Sequence, residues 1–259
     1  MTIRVTVQGA LGQMGREVMK AVTAAPDLEL VGACDTKAAE AVSPPAGVPL
    51  SADLEQLLST VKPDVLVDFS LAAAVPDTVE TAARHGVSLV IGTTGLDAAT
   101  LERIQALAEE HRIGAVIAPN FALGAVVMME LSRIAARYFD WAEIIELHHE
   151  NKADAPSGTA IATARRMAAE RSTPFGSPAG DEKHHSRGQK FDGVTVHSVR
   201  MPGLVADQEV IFGAAGQTLS IKHNTASREC FMPGVLLAVR EVVKRPGQFI
   251  FGLDKLLNF

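Results

Sequence analysis

The fold is decided by one segment near the N-terminus, IRVTVQGALGQMG at residues 3–15. Its first five residues alternate β-branched with polar side chains, which is typical of a β-strand. Glycines follow at positions 9, 12 and 15, and residues 16–25 have the composition of a helix. Such glycines let a turn close tightly and let the backbone approach a pyrophosphate, which the helix N-terminus stabilises. We therefore predict a strand, a glycine turn and a helix that together bind a nucleotide.

The glycine spacing is G-x-x-G-x-x-G, whereas G-x-G-x-x-G is commoner, so the neighbouring sequence has to support the prediction. Residues 28–34 (LELVGAC) read as a second strand, and Asp35 follows it, 20 positions after Gly15. A carboxylate at that strand end can accept hydrogen bonds from an adenosine ribose, which favours NAD. NADP needs a nearby cation for its extra phosphate, and Thr36 and Lys37 leave that coenzyme open.

Strand-like and helical runs continue to alternate along the first half of the chain. Residues 65–69 and 88–91 are strand-like, and a helical run precedes each of them. This order predicts a parallel sheet with helices on both faces, in which ligands gather beyond the carboxyl ends of the strands. We expect Thr93 and Thr94 to hydrogen-bond a nicotinamide or its ribose, and Asn120 and Phe121 to line the junction between coenzyme and substrate.

A second informative segment, HHENKADAPSGTA, occupies residues 148–160. It follows a strand-like run at residues 141–147 and precedes an Ala-rich run with helical composition at residues 160–170. Asp154 is the expected helix cap, and Pro156 suits the first helical turn.

Ser157, Gly158 and Thr159 are therefore predicted at a helix N-terminus. Unbonded N–H groups and the positive end of the helix dipole suit such a position to a carboxylate or a phosphate. Lys152 adds a full positive charge nearby. We predict an anion-binding site in this segment.

Composition limits the remaining possibilities. The 259 residues are 47% hydrophobic and 21% charged, which is ordinary for a soluble globular protein of one large or two small domains. The net charge of −6 lacks the basic excess that binding to nucleic acid draws on. Neither a signal sequence nor an apolar run of membrane-spanning length is present, so we expect a cytoplasmic protein. Cys34 and Cys230 cannot build a disulfide framework or a four-cysteine zinc site.

Five motifs together make the chain resemble the dihydrodipicolinate reductase family, the 4-hydroxy-tetrahydrodipicolinate reductases of the diaminopimelate route to lysine. They are GALGQMG at residues 9–15, GTTG at 92–95, APNFALG at 118–124, HHENKADAPSGTA at 148–160 and SRECFMPG at 227–234. The resemblance implies an α/β fold with two domains. A Rossmann-like parallel-sheet domain that binds the dinucleotide would comprise residues 1–121 and 236–259. An α+β mixed-sheet domain for substrate binding and oligomerisation would comprise residues 122–235 and build a homotetramer.

The resemblance also implies a reaction and its residues. NADH or NADPH would reduce a cyclic hydroxy-imine dicarboxylate, 4-hydroxy-tetrahydrodipicolinate, to tetrahydrodipicolinate with loss of water. His148 matches the family's proton donor and acceptor, and Lys152 matches its second proton donor. His149 would contact substrate, while the backbone of Gly158 and Thr159 would bind a carboxylate.

The coenzyme contacts implied by the resemblance cluster at the predicted strand ends. They are Gly9, Ala10, Leu11, Gly12, Gln13, Met14, Asp35, Thr36, Gly92, Thr93, Thr94, Ala118, Pro119, Asn120 and Phe121. Thr36 stands where better-known bacterial members carry an arginine that can meet the NADP phosphate, and Lys37 lies one position later. Coenzyme preference therefore stays open between NADH and NADPH.

Three other functions are compatible with parts of the sequence. A zinc hydrolase could use His148 and His149 with nearby glutamates, but consecutive strand residues point to opposite faces, and we expect no metal. His184 and His185 lie in a polar loop. A semialdehyde dehydrogenase would need a cysteine nucleophile, for which neither cysteine has a suitable setting. A redox sensor that binds dinucleotide would not need the residues of the second segment.

Three arginines remain as candidates for ion pairs with substrate or across an interface, because arginine forms bidentate contacts with carboxylates. They are Arg187, Arg200 and Arg228.

Overall fold

The computed structural model describes residues 2–40, 47–178, 185–257 and 259. The chain divides into two compact units. The first unit comprises Met1–Ala122 and Arg228–Asn258, and the second comprises Leu123–Ser227 together with Phe259.

The helices and strands follow one another in an order that alternates only in the first unit. The first stretch of that unit contains β1 (Ile3–Gln8), α1 (Gln13–Ala24), β2 (Leu28–Cys34), β3 (Leu50–Ser51), α2 (Leu54–Val61), β4 (Val65–Asp68), α3 (Val75–Arg84), β5 (Ser88–Ile91), α4 (Ala98–His111) and β6 (Ala115–Ile117). The second unit contains α5 (Leu123–Ala135), β7 (Trp141–His148), α6 (Gly158–Ala169), β8 (Gln189–Phe191), β9 (Val194–Arg200), β10 (Ala206–Ala214) and β11 (Gln217–His223). The chain then returns to the first unit with α7 (Met232–Val242) and β12 (Phe249–Phe251).

The first unit is built on a seven-stranded sheet in the order β12-β6-β5-β4-β1-β2-β3. All of its paired strands are parallel. Helices α2, α3 and α4 cover one face, where Leu66, Leu89 and Leu107 belong to a buried apolar cluster. Helices α1 and α7 pack together on the other face. Strand order reverses between β1 and β4, which is where ligands bind in sheets of this type.

The second unit is built on a five-stranded mixed sheet in the order β11-β10-β7-β9-β8. Strands β7 and β9 are parallel and the other pairs are antiparallel. Ile144, Val210 and Phe212 are buried with side chains of α6 in one core. Alternate residues point the other way and are only half-buried, among them Ile145 and Ile211. The predicted Rossmann-like domain and second mixed-sheet domain are thus confirmed as a fold class.

Two local predictions in the anion-binding segment were wrong. Asp154 does not cap α6, because Ser157 is the N-cap and its hydroxyl accepts the Ala160 N–H at 3.2 Å. Pro156 accordingly precedes the cap and lies outside the first helical turn. Asp154 pairs its carboxylate with the Lys152 Nζ at 2.7 Å, which takes it away from the helix end.

The two compact units do not coincide with the expected domains at every boundary. Ala122 and residues 228–235, expected in the second domain, lie with the first unit, and Phe259, expected in the first domain, is grouped with the second unit. Gly234 lies close to the end of the first stretch, since a Cβ there would lie 2.0 Å from the Phe121 carbonyl oxygen. The start of α7 is therefore packed tightly against the end of the first unit's own chain. Across the part of the chain that is described, no helix combines the length and apolar content needed to cross a membrane.

Candidate active site

The turn after β1 requires glycine at two positions. Gly9 has a φ of 75°, and a Cβ there would lie 2.6 Å from the Phe69 carbonyl oxygen. A Cβ on Gly15 would lie 2.1 Å from the Gly9 carbonyl oxygen. The Cys34 carbonyl accepts the Gly9 N–H at 2.9 Å and the Ala10 N–H at 3.1 Å. These contacts fix the turn between α1 and the end of β2.

Asp35 fastens the same turn through its side chain. Its Oδ2 accepts the Leu11 N–H at 2.9 Å, and its Oδ1 accepts the Lys37 N–H at 3.0 Å. A carboxylate has about four lone-pair sites, so each oxygen retains one for a further donor. Asp35 can therefore hold the turn and still accept a hydroxyl group.

A cleft of about 300 Å³ opens beside this turn. Gly12 is the N-cap of α1 and brings no side chain to the helix end, so first-turn N–H groups face outward with the dipole. Such a concave site with N–H donors and a carboxylate at its edge fits the pyrophosphate and ribose of a dinucleotide. The cleft is lined by Gln8, Gly9, Leu11, Gly12, Asp35, Thr36, Lys37, Phe69, Ser70, Leu71 and Ala74.

Asp68 is a buried carboxylate at the carboxyl end of β4, with 0% of its surface exposed. Its Oδ1 accepts the Ser70 N–H at 2.7 Å and the Thr93 hydroxyl at 3.0 Å. Burial raises its pKa, while the bonds from Ser70 and Thr93 act in the opposite direction. One side chain thus joins the loops that follow β4 and β5. We did not single out Asp68 from the sequence, where its signal was a carboxylate ending an apolar strand.

A second, smaller cavity of about 100 Å³ lies at the ends of β5 and β6. It is lined by Thr93, Thr94, Gly95, Leu96, Leu101, Ile117, Pro119 and Phe251. Asn120 does not line it; its Oδ1 accepts the Ala122 N–H at 2.8 Å, and Phe121 is buried. The ring of Phe121 packs on that of Phe69 with centroids 5.8 Å apart. Of the last four residues predicted to contact coenzyme, Pro119 is therefore the one that lines this cavity.

Three other predicted contacts can be made only by the backbone. Ala10 and Ala118 are buried, and Gly92 packs so closely that a Cβ would lie 2.1 Å from the Phe69 ring. Gln13 and Met14 form the first turn of α1. Their N–H groups, not their side chains, are the donors that the helix-end argument invokes.

The second unit brings His148 against a buried carboxylate. Glu146 and His148 are two residues apart on β7, so their side chains share a face of the sheet. The Glu146 Oε2 lies 2.5 Å from the His148 Nδ1. Arg200, at the end of β9, donates from Nη1 to Oε2 at 2.8 Å and from Nη2 to Oε1 at 2.7 Å. The Ser157 N–H donates to Oε1 at 3.2 Å.

These donors decide the charge of Glu146, whose side chain is 0% exposed. Burial alone would raise its pKa, but hydrogen bonds from His148, Arg200 and Ser198 outweigh that effect and lower the pKa to about 2. Glu146 is therefore a carboxylate at neutral pH. The sequence did not mark it beyond its place beside the two histidines.

Lys152 lies in the loop between β7 and α6, with 23% of its side chain exposed. Its N–H donates to the His149 carbonyl at 3.2 Å, and its Nζ pairs with the Asp154 carboxylate at 2.7 Å. The Lys152 ammonium lowers the pKa of Asp154. His149 follows the end of β7 and is half-buried. The loop thus holds the ammonium group against the Asp154 carboxylate without burying it fully.

The N-terminus of α6 is open at its first residue. Gly158 is exposed, and no atom lies within 4 Å of the position that a Cβ would take there. Thr159 follows it and is half-buried. Ligand oxygen atoms can therefore approach this helix end from outside, as an anion-binding role requires.

The three candidate arginines differ in their surroundings. Arg187 pairs with Glu143 at 2.5 Å on the opposite face of β7, where His197 also contacts that carboxylate. Arg200 is bound to Glu146, and Arg228 is exposed at the start of a short 3-10 helix. Two of the three are thus engaged in ion pairs within the second unit.

The alternative enzyme functions gain no support from the geometry. Burial, together with Asp35, Asp53 and Asp68, raises the pKa of Cys34 to about 12, so its thiol stays protonated and is a poor nucleophile. Within residues 2–40, 47–178, 185–257 and 259, no three His, Cys, Asp or Glu side chains form a group that could hold a metal. His184 lies outside the described residues, and His185 begins a 3-10 helix.

Comparison with known families covers nearly the whole chain. Residues 3–121 match the family model described as dihydrodipicolinate reductase, N-terminus, and residues 124–257 match the model described as dihydrodipicolinate reductase, C-terminus. A 4-hydroxy-tetrahydrodipicolinate reductase of Dehalococcoides mccartyi is 52% identical over 260 residues, covering 99% of this chain and 98% of its relative. The enzyme of the same name from Moorella thermoacetica is 48% identical, covering 100% of this chain and 99% of its own.

Solved structures of other proteins also superpose on this chain over nearly its whole length. A dipicolinate-bound dihydrodipicolinate reductase from Paenisporosarcina sp. TG-14 superposes with a TM-score of 0.89 at 38% identity, covering 99% of this chain and 100% of that one. An amine dehydrogenase from Mycobacterium smegmatis superposes with a TM-score of 0.68 at 15% identity, covering 100% of this chain and 97% of that one. The second likeness is one of fold.

The buried Asp68 predicts an unusual dependence of stability on pH. Because burial raises its pKa in the folded chain, the folded chain keeps that proton at pH values where the unfolded chain has lost it. The contribution of Asp68 to stability therefore falls as pH rises above its unfolded pKa of about 4. We expect Asp68→Asn, which keeps an acceptor for Ser70 and Thr93, to gain stability relative to the parent as pH rises. Urea unfolding at a series of pH values measures this.

Asp97→Asn provides the control of opposite sign. Asp97 caps α4, and the hydrogen bond from Thr100 lowers its pKa, so its contribution to stability is lost as pH falls through its folded pKa. This variant should lose stability relative to the parent as pH rises toward about 4, and above that pH the difference between the two should stay constant. If Asp68→Asn gains no stability relative to the parent above about pH 4, burial of Asp68 does not disfavour its charged form.

Proposed function

The chain belongs to the dihydrodipicolinate reductase family, and from that membership we propose that His148 and Lys152 supply the proton in its reaction. The reaction is the reduction of 4-hydroxy-tetrahydrodipicolinate to tetrahydrodipicolinate by NADH or NADPH, in the diaminopimelate route of lysine biosynthesis. One hydride and one proton are added and one water leaves. The observation that carries the proposal is the convergence of an oriented imidazole, an ammonium group and an open helix N-terminus in one segment of the second unit.

The first unit is assigned to the dinucleotide. The N–H groups of the glycine turn and of the first turn of α1 would bind the pyrophosphate, and Asp35 would accept a ribose hydroxyl. Thr93 and Thr94 would contact the nicotinamide end, since they line the smaller cavity. When bound, the coenzyme supplies the hydride. We place this chemistry in the cytoplasm, where reduced nicotinamide coenzymes are available to biosynthesis.

The second unit is assigned to the substrate, a small cyclic dicarboxylate. One carboxylate of the substrate would accept hydrogen bonds from the N–H groups of Gly158 and Thr159 at the start of α6, where the helix dipole is positive. The Lys152 ammonium would lie beside that carboxylate. Before substrate binds, the ammonium is paired with Asp154, and the substrate carboxylate would compete for it. His149 would contact the ring or the same carboxylate. His148 would donate its proton through Nε2, because its Nδ1 faces Glu146.

We also propose that four chains assemble through the second unit. The side of its sheet that faces away from α5 and α6 carries Ile145, Leu147 and Ile211, and each is only half-buried. A sheet face of this kind is stabilised by burial against a partner.

Sedimentation equilibrium of the parent chain should give the mass of a tetramer. Ile211→Asp, which puts a charge on the half-buried sheet face, should shift the distribution to smaller species. Val127→Asp, at an exposed position of α5, should leave the mass unchanged. A parent chain that sediments as a monomer would contradict the assembly.

Replacing Lys152 separates substrate chemistry from coenzyme binding. We expect Lys152→Ala to lower turnover by about 100-fold or more, in the range of general acid catalysis, while NADH affinity stays within about twofold. Turnover is followed as loss of absorbance at the reduced nicotinamide band, with substrate generated freshly by a coupled synthase. Affinity is measured by fluorescence titration.

Lys190→Ala, an exposed lysine of the second unit, serves as the control and should change neither quantity. Equal loss of NADH affinity in Lys152→Ala would remove Lys152 from the substrate site. If the parent chain binds dinucleotide but oxidises neither NADH nor NADPH, a redox sensor would explain the chain better than a reductase.

Lys37 tests the coenzyme preference. It is exposed at the cleft edge beside Asp35, where the extra phosphate of NADPH would lie, whereas NADH offers it no charge. Lys37→Ala should raise KM for NADPH by roughly 10-fold, as expected for one charge-assisted contact, and leave KM for NADH nearly constant. Lys62→Ala, at the C-cap of α2, is the matched control. A parallel rise in both KM values would show that Lys37 does not read the phosphate.

A further inference from the structure

We propose that Glu146 is a positioning residue that holds His148, the Lys152 loop and the N-terminus of α6 in one arrangement. The inference rests on the proposed roles of His148 and Lys152 and adds a residue that acts through them. Glu146 is fully buried on β7 and accepts hydrogen bonds from His148, Arg200 and Ser157, which connect it directly or through Arg200 to three segments of the second unit.

The first segment is the end of β7 itself. At neutral pH Glu146 is a carboxylate and can only accept hydrogen bonds, so the His148 nitrogen that faces it at 2.5 Å carries a hydrogen. The proton on Nδ1 is therefore fixed, and Nε2 is the nitrogen through which His148 exchanges a proton. A carboxylate behind a histidine sets tautomer and ring orientation in the same way in other acid–base sites.

The second segment is the Lys152 loop, which Glu146 reaches through Arg200. The Arg200 Nη1 donates to Glu146 and to the Val199 carbonyl at 2.7 Å. Its Nη2 donates to Glu146 and to the Asp154 carbonyl at 2.7 Å. All four Nη hydrogens are thus used within the protein. Because the Asp154 side chain binds Lys152, the position of that ammonium depends on this chain of contacts.

The third segment is the start of α6. The Ser157 N–H donates to Glu146, and Ser157 is the cap that precedes Gly158. Removing the carboxylate would leave a buried N–H and a guanidinium without their acceptor, and groups left in that state are costly. The carboxylate therefore sets where the anion-binding N–H groups begin.

The Glu146→Gln substitution separates the effect of the charge of this side chain from the effect of its shape. Its side chain has nearly the same volume but offers one acceptor and one NH₂ group. Since Arg200 presents only donors, the amide oxygen should turn to Arg200 and the NH₂ group to His148 Nδ1. The imidazole would then carry its hydrogen on Nε2, and the orientation would be retained with the wrong tautomer.

The experiment compares the parent with Glu146→Gln, His148→Gln and the double variant. We expect each single change to lower kcat by about 100-fold or more, as loss of a histidine's carboxylate partner does elsewhere, with NADH affinity unchanged. The double variant should lose much less than the product of the two effects, because Glu146 acts largely through His148. Glu146→Asp, which keeps the charge at shorter reach, should recover part of kcat.

A spectroscopic readout separates positioning from simple stability. With ¹⁵N-labelled histidine, the neutral His148 ring of the parent should show its hydrogen on Nδ1, and that of Glu146→Gln on Nε2. The resonances are assigned by their absence from His148→Gln. Glu130→Gln is the matched control, because Glu130 is also a largely buried carboxylate paired with an arginine, on α5. It should lose stability and keep its kcat.

The outcomes are distinguishable. If His148→Gln retains kcat, the proposed role of His148 fails. If His148→Gln is impaired while Glu146→Gln keeps kcat within about threefold of the parent, the positioning role of Glu146 fails and that of His148 stands. Should Glu146→Gln not fold, a neutral parent ring with its hydrogen on Nε2 would by itself overturn the inference.

Discussion

A buried carboxylate needs hydrogen-bond donors around it. In each unit of the chain such a carboxylate connects segments that are separate in sequence. Glu146 satisfies the requirement with an imidazole, a guanidinium and a helix cap. Asp68 meets it only in part, because its Oδ1 accepts one N–H and one hydroxyl from two neighbouring loops, while its buried Oδ2 has no hydrogen-bond partner among the described residues. Breaking a buried ion pair on one side typically costs about 3–5 kcal/mol, whereas an exposed pair contributes about 0–1 kcal/mol. The buried carboxylates therefore fix local geometry in a way that the many surface pairs of this chain do not.

Charge near the second unit's helix start has to act against the charge of the whole molecule. The chain carries a formal charge of −6, and its substrate is a dicarboxylate. Screening confines surface charges to about 8–10 Å at ordinary ionic strength, so the groups near the start of α6 matter most to a bound anion. The pairs of Glu146 with Arg200 and of Asp154 with Lys152 each add little net charge there. The positive end of the α6 dipole remains, and attraction by Lys152 requires the substrate to compete with Asp154.

Sequence patterns predicted what depends on local spacing. Strand β1 and the glycine turn are contiguous in sequence, and Asp35 follows Gly15 by 20 residues. Their positions follow from the backbone freedom of glycine and from strand geometry. The open start of α6 followed from the Ser-Gly-Thr run, although the cap was assigned to the wrong residue. Asp154 and Ser157 are both good caps by type; in the structure Ser157 is the cap and the Asp154 carboxylate pairs with Lys152.

What the sequence could not supply is the pairing of distant segments. Arg200 meets Glu146 across 54 positions because β7 and β9 pair in a register that sets His148 opposite Arg200. No pattern within the sequence of β7 identifies Arg200 as the partner of Glu146. Asp68 was missed for a similar reason, since its donors come from loops that only the assembled sheet brings together. The return of residues 228–235 to the first unit likewise depends on a contact with Phe121 that no local spacing encodes.

Cys34 supports the coenzyme turn with its carbonyl while its thiol is buried and held protonated. Peroxides and alkylating agents attack thiolates, and their rates fall with the thiolate fraction. We therefore expect the Cys34 sulfur to react slowly with such agents and to serve the turn as a small apolar side chain, so that oxidation of this residue should not disturb the turn.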